Sequence, residues 1–135
     1  MNLVEWSEKF SVGDASMDAY HHIFFEMVKE FMAEARRGTF TQAELGDWIH
    51  FLGRYTLMHF RAEERLLERC NYPELEQHRA IHRSFAQEIA QLTARFEQYP
   101  EALPAQEVFT KAMLWFAQHI LGEDMKYRPF MGGKA

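Results

Sequence analysis

Hydrophobic residues recur every three to four positions through most of the chain, a period that predicts α-helices rather than strands. Gly and Pro interrupt this pattern at a few places. The helices are predicted over about residues 16–37, 41–70, 73–98 and 104–122, after an extended N-terminal arm over 1–15. Four such helices with short connections predict an all-α, antiparallel up-down-up-down four-helix bundle, formed by one domain over residues 1–135.

Local signals mark several helix ends. Either Ser16 or Asp18 can cap the first helix, and a glycine at position 38 suits its end. The stretch T-Q-A-E predicts a capping box between Thr41 and Glu44 at the start of the second helix. Pro73 is tolerated in the first turn of the third helix, which we expect to begin at or just after it.

Five of the seven histidines fall on apolar helix faces, together with one glutamate. Residues on one face of a helix lie roughly three, four or seven positions apart. By this spacing His22 and His50 point to solvent, whereas the inward-facing set is His21, His59, Glu63, His78, His82 and His119.

A metal centre would satisfy these buried polar side chains together. Buried imidazoles and carboxylates need partners, and few Ser, Thr or Asn residues share these faces. Imidazole with carboxylate and no thiolate suits iron, zinc or similar divalent ions. The set is too large for one tetrahedral zinc and fits two metals that share bridging carboxylates. A zinc-binding or purely structural bundle is the alternative, and Cys70, at the end of its helix, is interpreted as a structural thiol.

Composition and charge exclude several other classes of protein. The chain has 135 residues, a net charge of −5 and 47% hydrophobic residues, which excludes a disordered protein. Its mild acidity argues against nucleic acid as a partner. No apolar run is long enough to span a membrane, and the first residues, MNLVEWSEKF, do not resemble a signal peptide. A single cysteine suits a reducing compartment, so we expect a cytoplasmic protein.

Four motifs together give the sequence a family resemblance. They are D-A-Y-H (18–21), H-F-R-A-E-E (59–64), H-R-A-I-H (78–82) and W-F-A-Q-H-I-L-G-E-D (115–124). In this order and spacing they resemble the hemerythrin family, specifically the single-domain bacteriohemerythrins, over nearly the whole chain.

The resemblance implies two iron ions (Fe2+/Fe3+) joined by an oxo or hydroxo bridge. It assigns His78, His82 and His119 to one iron and His21 and His59 to the other, with Glu63 and Asp124 bridging both. The second iron would then keep one open position for dioxygen.

Helical spacing and the resemblance disagree at one ligand. Glu123 lies four residues after His119 and would share its helix face, whereas the motif selects Asp124, five residues after it. We follow the motif, which requires a local departure near Gly122 or a wider turn.

The resemblance also directs attention to the surroundings of the ions. We expect the open position to be lined by apolar residues that exclude water, namely Phe25, Trp115, Phe116 and Ile120. Tyr127 is expected to support the carboxylate of Asp124, with a surface position as the alternative. Tyr20 stands where the family often has Gln, and we expect this difference to alter the surroundings of His21.

The expected function is reversible dioxygen binding for storage, delivery or sensing, by a protein that is not an enzyme. The recipient of the oxygen would be an oxygen-consuming enzyme or a signalling partner. A di-iron oxidase, peroxidase or nitric-oxide-handling enzyme on the same scaffold is the alternative. The histidine-rich ligand set favours binding, because fewer anionic ligands stabilise the reduced ions.

Overall fold

The computed structural model describes residues 5–37, 41–99 and 105–131, except for the side chains of 105–109. Within these residues it contains no strand, and its four long helices are α1 (Ala15–Arg36), α2 (Gln42–Arg69), α3 (Leu75–Gln98) and α4 (Ala105–Gly122). Short 3-10 helices lie at Glu8–Phe10 and Asp124–Phe130. Helix α1 packs against α2 and α4, and α2 packs against α3. The predicted all-α four-helix bundle is confirmed.

The start of α1 differs from the expectation. Its cap is Asp14, which accepts a hydrogen bond from a backbone N–H of the first turn, so neither Ser16 nor Asp18 caps the helix. Asp18 instead accepts a hydrogen bond of 2.8 Å from the backbone N–H of Val12. This contact ties the N-terminal arm to α1. The arm contains a turn of 3-10 helix and is not simply extended.

Each end of helix α2 has a recognisable capping motif. The capping box between Thr41 and Glu44 is present, with both reciprocal hydrogen bonds. At the other end Asn71 adopts a left-handed conformation with φ of 57°. The N–H of Tyr72 then reaches the carbonyl oxygen of Leu67 at 3.0 Å, a contact typical of a Schellman motif. This tight turn starts α3 beside α2. The glycine expected to stop α1, at position 38, lies outside the described residues.

Aromatic side chains form much of the interior. The rings of Phe24 and Phe116 lie 4.1 Å apart between α1 and α4, and Phe85 stacks on Trp115 at 3.8 Å between α3 and α4. Burying one such ring contributes roughly 1.5–3 kcal/mol. Among the described residues, none of the helices is both long enough and apolar enough to cross a lipid bilayer.

Candidate metal centre

Seven ionisable side chains meet in the interior of the bundle, and each is at most 4% exposed. They come from all four helices and from the 3-10 helix after α4. The structure thus brings together every residue expected to bind metal: His21, His59, Glu63, His78, His82, His119 and Asp124.

Three of the histidines form one group around two carboxylate oxygens. Glu63 Oε1 lies 3.0 Å from the Nε2 atoms of both His78 and His82. Asp124 Oδ1 lies 3.0 Å from the Nε2 atoms of His78 and His119. We call these three histidines with the two oxygens the three-histidine group.

The other two histidines face the remaining carboxylate oxygens. His21 Nε2 lies 3.6 Å from Glu63 Oε2 and 3.4 Å from Asp124 Oδ2. His59 Nε2 lies 3.9 Å from Glu63 Oε2. These atoms form the two-histidine group. Each carboxylate therefore presents one oxygen to each group, which is the arrangement that a ligand bridging two ions requires.

Hydrogen bonds within the protein do not satisfy this cluster. Among the described residues, both ring nitrogens of His21, His59 and His119 are buried without a hydrogen-bond partner, as are both carboxylate oxygens of Asp124. Unpaired buried polar atoms are rare in native proteins and require an explanation. Neutral imidazoles and carboxylates suit iron or zinc as ligands, so the residues present fit a pair of divalent ions.

The electrostatics of the cluster keep its carboxylates charged. Burial opposes ionisation of Glu63, but the neighbouring imidazoles of His21, His78 and His82 hold its pKa well below the usual range. Burial lowers the pKa of His59 to about 3, so its imidazole is neutral and available as a ligand. Burial also opposes protonation of His78, yet the neighbouring carboxylates of Asp124 and Glu63 raise its pKa to about 10.

Two further side chains hold the cluster in place. The hydroxyl of Tyr127 donates a hydrogen bond of 2.8 Å to Glu63 Oε2, so the expectation that it supports Asp124 was wrong. His82 Nδ1 lies 2.7 Å from Glu64 Oε2, a contact that the sequence analysis missed. Residue 64 lies about 100° around the helix from Glu63 and so faces away from the core, but the carboxylate of Glu64 reaches the rim of the bundle and is about a quarter exposed. In the sequence, only its position next to Glu63 could have indicated that Glu64 lies near the cluster.

The chain leaves α-helical geometry just after Gly122, where the 3-10 helix begins. Asp124 is fully buried, whereas the side chain of Glu123 is 35% exposed and lies 3.3 Å from Lys126 Nζ. The structure therefore places Asp124, and not Glu123, in the cluster. The departure is a tighter turn, so the wider turn considered as one explanation is not what the chain adopts.

Four residues were expected to line an open position, and the structure separates them. Phe116 stacks against His59 at 5.6 Å, in the two-histidine group. Trp115 stacks on His119 at 4.5 Å and so belongs beside the three-histidine group. The ring contacts of Phe25 are with Phe10 and Phe24, one layer away from the ligands. Ile120 is fully buried.

Two rings near the ligands were not anticipated, and Tyr20 was expected only to alter the surroundings of His21. Phe60 stacks on His82 with centroids 3.8 Å apart and planes 4° apart. Tyr20 stacks on His59 at 5.5 Å, and Phe24 packs against Phe116. Hydrophobic periodicity cannot distinguish such residues from the rest of the core. A ring that contacts a metal-ligating side chain and a ring that only fills the core lie on the same helix face.

Comparisons with known proteins agree with this geometry. Residues 12–131 match the family described as the Hemerythrin HHE cation binding domain. A bacteriohemerythrin from Stenotrophomonas maltophilia is 28% identical over 94% of this chain and 80% of its own length. A myohemerythrin from Riftia pachyptila is 29% identical over 91% of this chain and 89% of its own. A crystal structure of wild-type hemerythrin superposes with a TM-score of 0.86 at 27% identity, covering 96% of this chain and 98% of that one.

Proposed function

Since the chain belongs to the hemerythrin HHE cation-binding domain family, we propose that it binds dioxygen reversibly at a di-iron centre. The observation that carries this proposal is the division of the carboxylate oxygens. Glu63 and Asp124 each direct one oxygen towards the three-histidine group and the other towards the two-histidine group. A bridged pair of metal ions needs this division.

The two groups differ in the number of ligands that they offer. The three-histidine group provides three imidazoles and two carboxylate oxygens, and the two-histidine group provides two imidazoles and two oxygens. His78, His82 and His119 would hold one iron, and His21 and His59 the other. The smaller donor set supports exogenous ligand binding on the side of His21 and His59. A pair of ferrous ions supplies the two electrons that reversible dioxygen uptake requires.

The protein's own side chains would keep the bound gas from reacting further. Phe116 and Phe24 cover the side of His59 with apolar surface, which excludes water and the protons it carries. Burial and the charges of Glu63 and Asp124 raise the pKa of Tyr127 well above its usual value. Its hydroxyl therefore retains its proton and holds Glu63 in the bridging orientation.

We propose binding rather than turnover, for storage, delivery or sensing of oxygen. The recipient would be an oxygen-consuming enzyme or a signalling partner. Five imidazoles with only two carboxylates supply little negative charge, and this composition favours the reduced ions over their full oxidation. An oxidase, peroxidase or nitric-oxide-handling enzyme is the competing function, and it predicts continuous consumption of its substrate.

The test is a cycle of oxygenation on the purified chain. The protein is loaded with ferrous iron and reduced without oxygen, then exposed to air and degassed, while iron content and the visible spectrum are followed. We expect two irons per chain and a colour that appears and disappears over repeated cycles. Steady uptake of oxygen or peroxide with a reductant would select the enzyme instead. Preferential binding of a single zinc would select a zinc-binding bundle.

A further inference from the structure

The groove between α1 and α2 has an uneven distribution of charge, which the proposed function does not use. The exposed residues along this groove divide into an acidic end, an apolar middle and a basic end. We call the whole surface the α1–α2 face. Its residues are Ile23, Glu26, Glu30, Glu44, Asp47, Phe51, Arg54, Leu57, Met58, Arg61 and Arg65.

The acidic end surrounds a groove of about 540 Å³. Glu26 and Glu30 contribute from α1, and Glu44 and Asp47 from α2. Lys29 lies 3.5 Å from Glu26 and offsets part of this charge. Within the described residues Glu30 and Asp47 form no ion pair, so this end of the face keeps a net negative charge.

The basic end lies further along the same side of α2. Arg54, Arg61 and Arg65 line a shallow depression beside Tyr20. In the part of the chain that the structure describes, none of these arginines pairs with a carboxylate. Favourable interaction with the helix dipole is confined to the first and last turns, so it does not explain arginines in the middle of α2.

The middle of the face is apolar and exposed. Ile23 is 53% exposed, Phe51 40%, Leu57 45% and Met58 50%. These four are half of the eight large hydrophobic residues exposed in the described structure. An apolar centre between charged ends is the composition of a protein–protein interface with a polar rim.

We propose that the α1–α2 face binds a second copy of this chain in an antiparallel, two-fold symmetric dimer. A copy rotated by 180° about an axis that lies in the plane of the interface, perpendicular to α2, places its arginines on the acidic end of the first, and its own acidic end on the first copy's arginines. The apolar middles meet at the axis. A parallel copy would oppose like charges, so charge complementarity selects one orientation and satisfies the symmetry of a dimer.

The size of the face sets the strength of this dimer. From Glu44 to Arg65 the α2 surface is roughly 32 Å long, and two adjacent helices make it roughly 20 Å wide. The buried area of roughly 600 Å² per copy is below the roughly 800 Å² of a stable complex. The dimer is therefore transient and sensitive to salt, and it covers Tyr20, which stacks on His59.

Sedimentation velocity on the iron-loaded chain of 135 residues tests the proposal. Between about 10 µM and about 1 mM at low ionic strength, we expect the average mass to rise from the monomer value of 16.0 kDa towards twice that value. About 0.5 M salt should reverse this rise, because it screens exposed charges. A chain that remains monomeric under all these conditions would overturn the proposal. The partner of the α1–α2 face would then be a different protein.

Charge exchange tests the orientation. Asp47→Arg and Arg65→Glu should each weaken dimerisation by about tenfold, because symmetry counts every substitution twice. The double variant should return the dissociation constant to within about threefold of the original. Along one helix these positions are about 27 Å apart, well beyond the Debye length of about 10 Å at about 0.1 M salt, so at that ionic strength only contact between copies restores binding.

The matched control is Arg83→Glu, which makes the same charge change at an exposed position of α3 outside the face. It should leave the dissociation constant within about twofold of the original, as expected for a residue outside the interface. Single variants that associate as well as the original chain, or a double variant that does not recover, would overturn the antiparallel arrangement.

Discussion

The hydroxyl of Tyr127 donates a hydrogen bond of 2.8 Å to Glu63 Oε2, joining the 3-10 helix after α4 to the C-terminal part of α2. The phenol is fully buried, and the pKa of Tyr127 lies well above its usual value. It is therefore a permanent donor to the oxygen that faces His21 and His59. The contact fixes how Glu63 is turned, and so which of its oxygens faces each group of histidines.

Tyr127→Phe should reduce the free energy of unfolding of the metal-free chain by about 1–3 kcal/mol, because it leaves a buried carboxylate oxygen without its donor. Chemical denaturation measures this loss. Tyr72→Phe is the matched control, since its ring packs 6.1 Å from that of Tyr127 but its hydroxyl has no hydrogen bond to the described cluster. Equal losses in the two variants would show that the hydroxyl of Tyr127 contributes nothing specific.

The ligand assignment predicts a contrast between two histidines of the same helix. His59→Ala should lower the iron content below two per chain, because the two-histidine group then keeps a single imidazole. His50→Ala, on the exposed side of α2, should retain full iron content, as should His22→Ala on α1. Metal analysis after removal of unbound iron measures this. Iron loss from the His50 variant would contradict the assignment.

The apolar cover over the two-histidine group predicts the stability of the oxygenated protein. Phe116→Leu removes the ring stacked on His59 while keeping an apolar side chain, so water should enter and autoxidation should become several-fold faster. The decay of the visible spectrum in air gives the rate. Phe31→Leu makes the same change at a fully buried ring in contact with Trp48 and should leave the rate unchanged. Equal rates in the two variants would exclude Phe116 from the cover.

Periodicity predicted the fold because each helix of a bundle buries one face, and a buried face requires apolar residues at helical spacing. It also separated inward His59 from outward His50, since positions nine apart lie on opposite sides of a helix. It could not place Asp124, whose position depends on where α-helical hydrogen bonding stops, near Gly122. It missed Glu64, because a long side chain at the rim reaches His82 from a position that the helical wheel turns outward.

The contact between Glu64 and His82 predicts that the chain retains iron more tightly than a variant that lacks the Glu64 carboxylate. A carboxylate on the distal nitrogen orients a histidine ligand and raises its basicity, and loss of such a partner weakens metal binding by about 10–100-fold. Glu64→Gln should therefore release iron to a chelator about tenfold faster. Glu68→Gln is the control, since Glu68 shares the neighbour Arg79 but does not contact His82. Equal release rates in the two variants would mean that Glu64 only forms a surface ion pair with Arg79 and does not support His82.

The two glycines inside α2 predict different effects of the same substitution on stability. A Cβ at Gly53 would lie 3.5 Å from Ile89, an ordinary contact, whereas at Gly46 it would lie 3.1 Å from the ring of Phe96. Gly53→Ala should raise the free energy of unfolding by about 0.5–1 kcal/mol, because alanine loses less conformational entropy in a helix.

Gly46→Ala obtains the same entropic benefit but must displace Phe96, a buried ring where α2 meets α3. Its unfolding free energy should therefore lie at least about 0.5 kcal/mol below that of Gly53→Ala. Urea denaturation of the two metal-free variants, with equal slopes, makes the comparison independent of iron. Equal stabilisation at both positions would mean that α2 and α3 adjust around Phe96 without strain, and that close approach of these helices does not require the glycine.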